Sequence, residues 1–180
     1  TTLLLVSAGV AAQEKLNTAD VFSQMKSLVG VWHKKNAANS NFSISFELTA
    51  NDTVLIETWL NKGKKHSLTL YHLNNGELMA THYCPQGNQP RMQLTDSSTN
   101  NDLSFAFLDA TNLKSVDNSH QHSLGFQFLN DNNSILRKEN DKFVFKNIPY
   151  DGKRFGKIDL KFDYTEKSVL NFSKENLVTG

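Results

Sequence analysis

The sequence predicts an all-β protein: an antiparallel up-and-down meander, closed into a barrel of roughly ten strands, with a short N-terminal helix. Two observations predict this fold class. Apolar and polar residues alternate along most of the chain, and turn clusters rich in Asn, Asp and Gly recur about every ten residues. No segment between strands is long enough for the crossover helices of a parallel sheet, and closure removes the open edges of a meander. A two-sheet sandwich is the alternative.

An uncharged, apolar segment covers residues 1–12 and is typical of the end of a secretory signal. Its apolar run is too short to span a bilayer, which needs ~20 residues. The small residues Val10 and Ala12 favour cleavage before Gln13. We therefore expect residues 13–180 to form a single β-barrel domain that is periplasmic or secreted. An apolar N-terminal strand is the alternative.

The next element is a helix predicted over 18–30. Thr18 would be its N-cap and Gly30 its C-terminal stop. Apolar residues follow one another between these ends at steps of three and four: Val21, Phe22, Met25, Leu28 and Val29.

Strands with one apolar and one polar face follow the helix. In the first of them, Phe42, Ile44, Phe46 and Leu48 alternate with polar residues. The same pattern predicts strands near 53–60, 66–73, 77–84, 91–95, 102–109, 120–129, 134–139, 142–147 and 157–164. Residues 165–180 lose the alternation, so we expect a loose tail or a short helix there.

Charge and cysteine content exclude several classes of protein. The net charge of +1 argues against nucleic-acid binding, which needs a clustered basic excess. After residue 12, no apolar run is long enough to span a membrane. Cys84 is the only cysteine, so the chain forms no internal disulfide. The sequence leaves four roles open for its thiol: a buried, inert side chain, a metal ligand, a nucleophile or an intermolecular link.

Two sequence features resemble known groups of proteins. A short helix followed by Gly30-Val31-Trp32 and a meander is similar to the opening of the lipocalin-like (calycin) barrels. Nitrobindin-type haem barrels also open with a Gly-x-Trp strand but continue with further glycines, where this chain has HKK at 33–35. The segments YHL at 71–73, THYC at 81–84, GNQPRM at 87–92 and DATN at 109–112 resemble a group of exported bacterial proteins of unassigned function. The resemblances imply the barrel fold and export, but no activity.

Strand phase and strand direction predict that polar side chains meet at one mouth of the barrel. The apolar faces of strands 77–84, 102–109 and 120–129 each become polar at one end. Successive strands of a meander alternate in direction, which brings these ends together. The polar residues that we expect at this mouth are His82, Cys84, Asp109, His120 and His122.

The facing of His82 depends on the turn at 74–76. A three-residue loop keeps His82 on the same face as Leu68 and Leu70. A two-residue Asn-Gly turn would place Tyr83 on that face and turn His82 outward. We favour the longer loop because it groups apolar residues of both strands.

An apolar barrel with a few polar groups at one rim is typical of a small-molecule site. The sequence therefore predicts an exported barrel that binds a small, partly apolar ligand. The predicted ligand-binding residues are His82, Cys84, Asn88, Arg91, Asp109, His120 and His122. Arg91 would bind a carboxylate or phosphate of the ligand, unless it forms a surface salt bridge. For Asn88 and Gln89, the alternative to binding the ligand is that their side chains order their own loop.

An enzyme at the same mouth is the alternative. His120 and His122 lie two residues apart on one strand face and can chelate a divalent metal, with His82, Cys84 or Asp109 as third ligand. Cys84 could instead be a nucleophile with one of these histidines as its base. A haem with an axial histidine is a further alternative. If the histidines converge, at least one of them should have a lowered pKa.

The remaining expectations concern packing. Trp32 should lie in the core near the closed end of the barrel. Glu57 is expected on the outer face of its strand, so that Asp109 would be the only interior acid. Leu55, Trp59 and Tyr71 are the candidates for an exposed apolar patch that binds a partner.

Overall fold

The computed structural model describes residues 16–34, 41–129, 134–139 and 168–174. Within these ranges lie one helix and ten strands. They are α1 Thr18–Lys26, β1 Gly30–Lys34, β2 Phe42–Thr49, β3 Val54–Asn61, β4 Lys64–Asn74, β5 Glu77–Tyr83, β6 Gln89–Leu94, β7 Asp102–Thr111, β8 Ser123–Phe128, β9 Ser134–Glu139 and β10 Ser168–Lys174. The predicted signal segment and the strands predicted at 142–147 and 157–164 lie outside the described residues.

The strands form a closed antiparallel barrel. Each strand from β2 to β9 pairs with the strands before and after it in the chain, and β10 pairs with both β9 and β1. This order confirms the all-β meander and excludes the two-sheet sandwich. No helix among the described residues is long and apolar enough to cross a membrane.

Helix α1 packs at the end of the barrel where β4 turns into β5. Asn17, not Thr18, is its N-cap, because the Asn17 side chain accepts a hydrogen bond from the backbone N–H of Ala19. The Thr18 hydroxyl donates instead to the Gly76 carbonyl in the β4–β5 turn, at 2.6 Å. The helix also ends earlier than predicted, at Lys26. Its buried side chains join the core of the barrel.

The expectation of a loose tail or helix after residue 165 is wrong for 168–174, which is strand β10. This strand closes the barrel between β9 and β1. A strand with neighbours on both sides is held by its backbone hydrogen bonds, so it forms without a regular alternation of side chains.

The turn between β4 and β5 has two residues, not three. Asn75 and Gly76 both have positive φ, 51° and 85°, as a type I′ turn requires. The inner face of β4 consequently carries Thr69 and Tyr71 instead of the leucines, and both are buried. His82 pairs with Thr69 and faces the interior. It is therefore inside the barrel, but not for the predicted reason.

Strand β3 also has the opposite phase from the one predicted. Its register places Glu57 opposite Phe46 of β2 and Thr69 of β4, so that Leu55 and Glu57 face inward and are fully buried. Tyr71 is fully buried as well, and Trp59 is half-buried. The predicted outer patch is therefore wrong, because apolar residues on both faces of β3 and β4 left the strand phase ambiguous.

The barrel interior is apolar at the helix end. Trp32 is 2% exposed, and its indole N–H donates to the Leu28 carbonyl at 2.6 Å. It lies in the core, as predicted. The core around it comprises Val21, Phe22, Met25, Leu28, Ile44, Phe46, Leu55, Tyr71, Leu78, Ala80, Met92, Leu94, Leu103, Phe105, Leu124, Phe126 and Ile135.

Candidate functional site

The predicted mouth lies at the end of the barrel away from the β4–β5 turn. Antiparallel pairing brings the ends of β5 and β7 and the starts of β6 and β8 to this end. The predicted residues there fall into four groups: the pair His120 and His122, the single residue His82, the pair Arg91 and Asp109, and the pair Cys84 and Asn88, which is joined by a backbone hydrogen bond. They share an end of the barrel without forming one cluster.

His120 and His122 contact each other just before β8. His120 Nε2 lies 3.2 Å from His122 Nδ1, and His120 Nδ1 lies 2.7 Å from the Asn118 carbonyl oxygen. The ring of Phe107 packs against both, stacked on His122 with centroids 5.5 Å apart and 4.6 Å from the centroid of His120. These contacts fix the orientation of both imidazoles.

His82 has a different partner from that pair, on strand β4. It is 7% exposed, and its Nδ1 lies 2.9 Å from the hydroxyl of Thr69. Burial lowers its pKa to about 4, with smaller contributions in the same direction from the charges of Arg137 and His66 and an opposing one from Glu57. The lowered pKa of His82 therefore comes mainly from burial, and not from the repulsion among converging histidines on which the prediction depended.

The reasoning from sequence missed a fully buried ion pair in the interior, between Glu57 and Arg137. Arg137 Nε donates to Glu57 Oε1 at 3.0 Å, and both side chains are at most 1% exposed. The Trp59 indole N–H donates to the same oxygen at 2.7 Å, and the Tyr71 hydroxyl donates to Oε2. Arg137 also donates to the Lys138 carbonyl at 2.7 Å.

The surroundings of Arg137 keep its guanidinium charged. Burial, the largest single effect, opposes the charge, but the combined interactions with Glu57, Tyr71 and Glu139 outweigh it and raise the pKa of the guanidinium. Burial and the Glu57 carboxylate raise the pKa of Tyr71 well above its usual value. A signal in the sequence was present for Glu57 alone, because it lies between Leu55 and Trp59 on one strand face, whereas Arg137 is followed on its face by the charged Glu139.

Asp109 does not face the interior, so the predicted facing is wrong. A β-bulge between β6 and β7 pairs Arg91 with Asp109 and Met92 with Phe107, which leaves Leu108 as the extra residue. Beyond it the strand phase reverses, and the Arg91 and Asp109 side chains, 50% and 48% exposed, form a bidentate salt bridge. Arg91 therefore forms a surface salt bridge, which was the alternative to binding a carboxylate or phosphate of the ligand.

Two loops at the mouth are joined by hydrogen bonds. Asn88 is buried, and its Nδ2 donates to the Ser119 carbonyl at 2.9 Å. Asn112 Nδ2 donates to the Gly87 carbonyl at 2.7 Å, and Gln89 Nε2 donates to the same carbonyl at 2.9 Å. Asn88 and Gln89 thus order their loop, which was the alternative to a role in ligand binding.

The same loops contain two buried polar atoms without a hydrogen-bond partner, Asn88 Oδ1 and Ser119 Oγ. Asn88 is 5% exposed and Ser119 is 8% exposed. Almost all buried polar atoms in proteins have a partner, so each exception needs an explanation, such as a bound molecule or an ordered water. Ser119 was not among the predicted residues, because a serine in a polar loop carries no signal in the sequence.

Cys84 lies directly after β5 and is half-buried. Burial raises the pKa of its thiol, and the charge of Glu139 raises it further, against a hydrogen bond from the backbone of Gln86. A nucleophilic cysteine needs a lowered pKa, so this environment favours an inert thiol.

The described part of the chain contains no group of three or more His, Cys, Asp and Glu side chains that could hold a metal ion. Of the predicted ligands, only His120 and His122 are in contact. Asp109 is paired with Arg91 on the outer surface.

Comparisons with known proteins assign no family. The chain matches no protein-family model, and a search of curated proteins finds no significant relative.

Proposed function

We propose that this protein is an exported, lipocalin-like barrel that binds a small, partly apolar molecule at the mouth near His82, Cys84, Asn88 and the His120–His122 pair. The observation that carries the proposal is the pair of buried atoms without partners, Asn88 Oδ1 and Ser119 Oγ. Their loops are held by several hydrogen bonds, so the atoms cannot find partners by a small movement of the chain. A bound molecule would supply the missing hydrogen bonds.

The chemistry of these atoms limits the class of ligand. Asn88 Nδ2 donates to a carbonyl, which fixes the orientation of the amide and leaves Oδ1 as an acceptor. The ligand therefore presents a hydroxyl or an amide N–H to Asn88, while Ser119 can donate or accept. Phe107 and Trp59 are half-buried aromatic rings toward the same end and would contact an apolar body. We expect a neutral ligand with one polar end.

Export and the lipocalin likeness belong to the same proposal. The apolar segment 1–12 supports export, and N-terminal sequencing of protein isolated from the periplasm or the medium tests it. A start at Gln13 is the expected result. The short helix, the Gly30-Val31-Trp32 strand and the closed antiparallel barrel support the lipocalin likeness. The metal- or thiol-dependent enzyme and the haem protein stay predictions from the sequence.

The binding proposal is tested with a fluorescent dansylamide that carries a hexyl chain, which combines an N–H donor with an apolar body. Ser119→Ala is the decisive variant, because it removes a hydroxyl that makes no hydrogen bond in the protein and so leaves the fold intact. We expect this variant to bind the probe about five- to tenfold more weakly, the loss of roughly one hydrogen bond.

The matched control is Ser45→Ala, which removes an exposed hydroxyl bonded to Glu47 on the outer face of β2. It should bind the probe as the wild type does. Equal affinity of the Ser119→Ala variant and the wild type, or no saturable binding by either, would contradict the proposal and leave ordered water as the partner of these atoms.

A further inference from the structure

We propose that His82 donates a hydrogen bond from its Nε2 to the ligand, so that the site takes neutral carbonyl compounds and rejects carboxylates. This inference rests on the proposed small-molecule function and names a second polar contact of the same site. The geometry that carries it is the contact between His82 Nδ1 and the hydroxyl of Thr69, at 2.9 Å.

Thr69 determines the tautomer of His82. The Thr69 side chain is fully buried, and within the described part of the chain its hydroxyl has no hydrogen-bond partner other than His82 Nδ1. If His82 Nδ1 carried a hydrogen, the hydroxyl hydrogen of Thr69 would be buried without an acceptor. The Thr69 hydroxyl therefore donates to Nδ1, and the neutral ring carries its hydrogen on Nε2.

His82 Nε2 is consequently a donor that awaits an acceptor. The bond with Thr69 is the only hydrogen bond that His82 forms with the described residues. The ring faces the interior and is 7% exposed, so solvent reaches little of it. Burial lowers the pKa of His82 to about 4, which keeps the ring neutral at pH 7 with this single N–H to offer. An acceptor atom of a ligand would complete its hydrogen bonding.

His82 lies close to the loop that contains Asn88. It precedes Cys84 by two residues, a distance of about 7 Å along a strand. The backbone N–H of Cys84 donates to the carbonyl of Asn88 at 3.1 Å. One small molecule can therefore present a donor to Asn88 Oδ1 and an acceptor to His82 Nε2.

The positive charges near the mouth leave a buried carboxylate without a partner. Within the described ranges both arginines are already paired: Arg137 bonds to Glu57, and Arg91 bonds to Asp109 on the outer surface. The lysines of the β3–β4 turn are exposed, so they contact solvent and not the interior. An ionised ligand group in the interior would therefore be buried without an opposite charge.

Glu139 makes a carboxylate ligand still less favourable. It follows Arg137 by two residues and so shares its strand face, at the end of β9 that lies at the mouth. Burial raises the pKa of Glu139, and the charge of Glu57 raises it further, against the guanidinium of Arg137. These surroundings already disfavour one carboxylate, and a ligand would add a second. A neutral carbonyl oxygen accepts the hydrogen bond of His82 without that cost.

The test compares two fluorescent probes that differ only in one end group, dansylaminoundecanoic acid and its primary amide, at pH 7. We expect the wild type to bind the amide at least about tenfold more tightly than the acid, because the acid buries an unpaired charge. His82→Asn should bind the amide about five- to tenfold more weakly, the loss of roughly one hydrogen bond.

Three histidine variants make the test specific. His82→Asn places a carbonyl near the position of Nδ1, where it accepts from Thr69, but it has no atom at the position of Nε2. His82→Gln places an N–H donor near the position of Nε2 and should restore most of the affinity for the amide. His72→Asn is the matched control, because it removes a half-buried imidazole from the opposite end of the barrel and should bind the amide as the wild type does.

Long-range ¹⁵N–¹H spectra of the wild type give a second measurement that does not depend on the folding of any variant. Without ligand, His82 should show the Nε2–H tautomer, and the amide probe should move this proton downfield.

The outcomes separate this inference from the small-molecule site itself. Amide binding that Ser119→Ala weakens and His82→Asn leaves unchanged would overturn the role of His82 and keep the site. An Nδ1–H tautomer of His82, or tighter binding of the acid than of the amide, would do the same. Absence of saturable binding by both probes would overturn the inference together with the proposed function.

Discussion

Two polar regions of the barrel differ in how completely their atoms are paired. In the interior, each carboxylate oxygen of Glu57 accepts two hydrogen bonds: Oε1 from Trp59 and Arg137, and Oε2 from Tyr71 and Arg137. At the mouth, the Oδ1 of Asn88 accepts none. Both regions are buried, so solvent does not explain the difference.

The comparison separates a structural role from a binding role. The Glu57 carboxylate has no acceptor position left for a substrate, although a buried ion pair is the feature that first suggests an active site. We infer that it fixes the position of β3 relative to β9 across the barrel interior, since these strands are not neighbours in the sheet. The mouth, with fewer charges, retains the capacity to bind.

Removing one member of the interior pair should give the largest effect. Arg137→Met would leave the Glu57 carboxylate buried with only Tyr71 and Trp59 as donors. We expect a loss of about 3–5 kcal/mol in the free energy of unfolding, measured with urea, because an uncompensated charge stays in the core.

The double variant Glu57→Leu with Arg137→Met sharpens this prediction. It removes both charges, so it should be more stable than Arg137→Met alone. If the double variant were the less stable of the two, the pair would contribute more by its hydrogen bonds than its desolvation costs.

The second prediction concerns His82 and pH. Its pKa is about 4 in the folded protein, because it is buried, and ~6.5 in the unfolded chain. Between these values the unfolded chain binds a proton that the folded protein excludes. The contribution of His82 to stability is therefore complete above pH ~6.5 and is lost as the pH falls toward 4.

The variant His82→Asn keeps a group that can bond to Thr69 but removes the titration. Between pH 6 and pH 5 the wild type should lose about 1.2 kcal/mol more than this variant in urea unfolding. Parallel losses in the two proteins would mean that His82 titrates normally in the folded state.

Much of the fold could be predicted from the sequence, because it depends on local signals. Alternation and turn residues predicted the strands from β2 to β9, and the Asn75-Gly76 pair marked a hairpin. What could not be read was strand phase where both faces are apolar, as at Leu55 and Tyr71. There the phase depends on pairing with the neighbouring strand, which is a non-local property.

The end of the barrel at which these polar residues lie was predicted from the sequence, but the arrangement of their side chains was not. Strand direction brought His82 and His120 to one end correctly. One extra residue at Leu108 then turned Asp109 outward, and no residue type marks such a bulge. The burial of the Ser119 hydroxyl depends on the contact between two loops, and only the three-dimensional structure shows that contact.

A pair of serines offers the closest comparison of a paired and an unpaired buried hydroxyl. Ser98 Oγ donates to the Ser104 carbonyl and accepts from the Ser104 N–H, at 3.2 and 3.0 Å, and Ser98 is 2% exposed. Ser98→Ala should lose about 1–2 kcal/mol in urea unfolding, since it leaves backbone groups unpaired. Ser119→Ala, which breaks no hydrogen bond, should stay within about 0.5 kcal/mol of the wild type. Equal losses would mean that Ser119 Oγ has a partner.

The smallest effect is expected for the salt bridge of Arg91 with Asp109, which lies on the outer surface near the mouth. Both side chains are about half exposed, so solvent screens their attraction. The Arg91 guanidinium lowers the pKa of Asp109 through its hydrogen bonds, but exposed pairs contribute little to stability. Arg91→Gln should therefore leave the urea midpoint unchanged within error and should not alter binding of the dansylamide, with or without a carboxylate on its chain. A selective loss of affinity for the carboxylate probe would show that Arg91 leaves Asp109 to bind the ligand, and would place a charged group at the mouth after all.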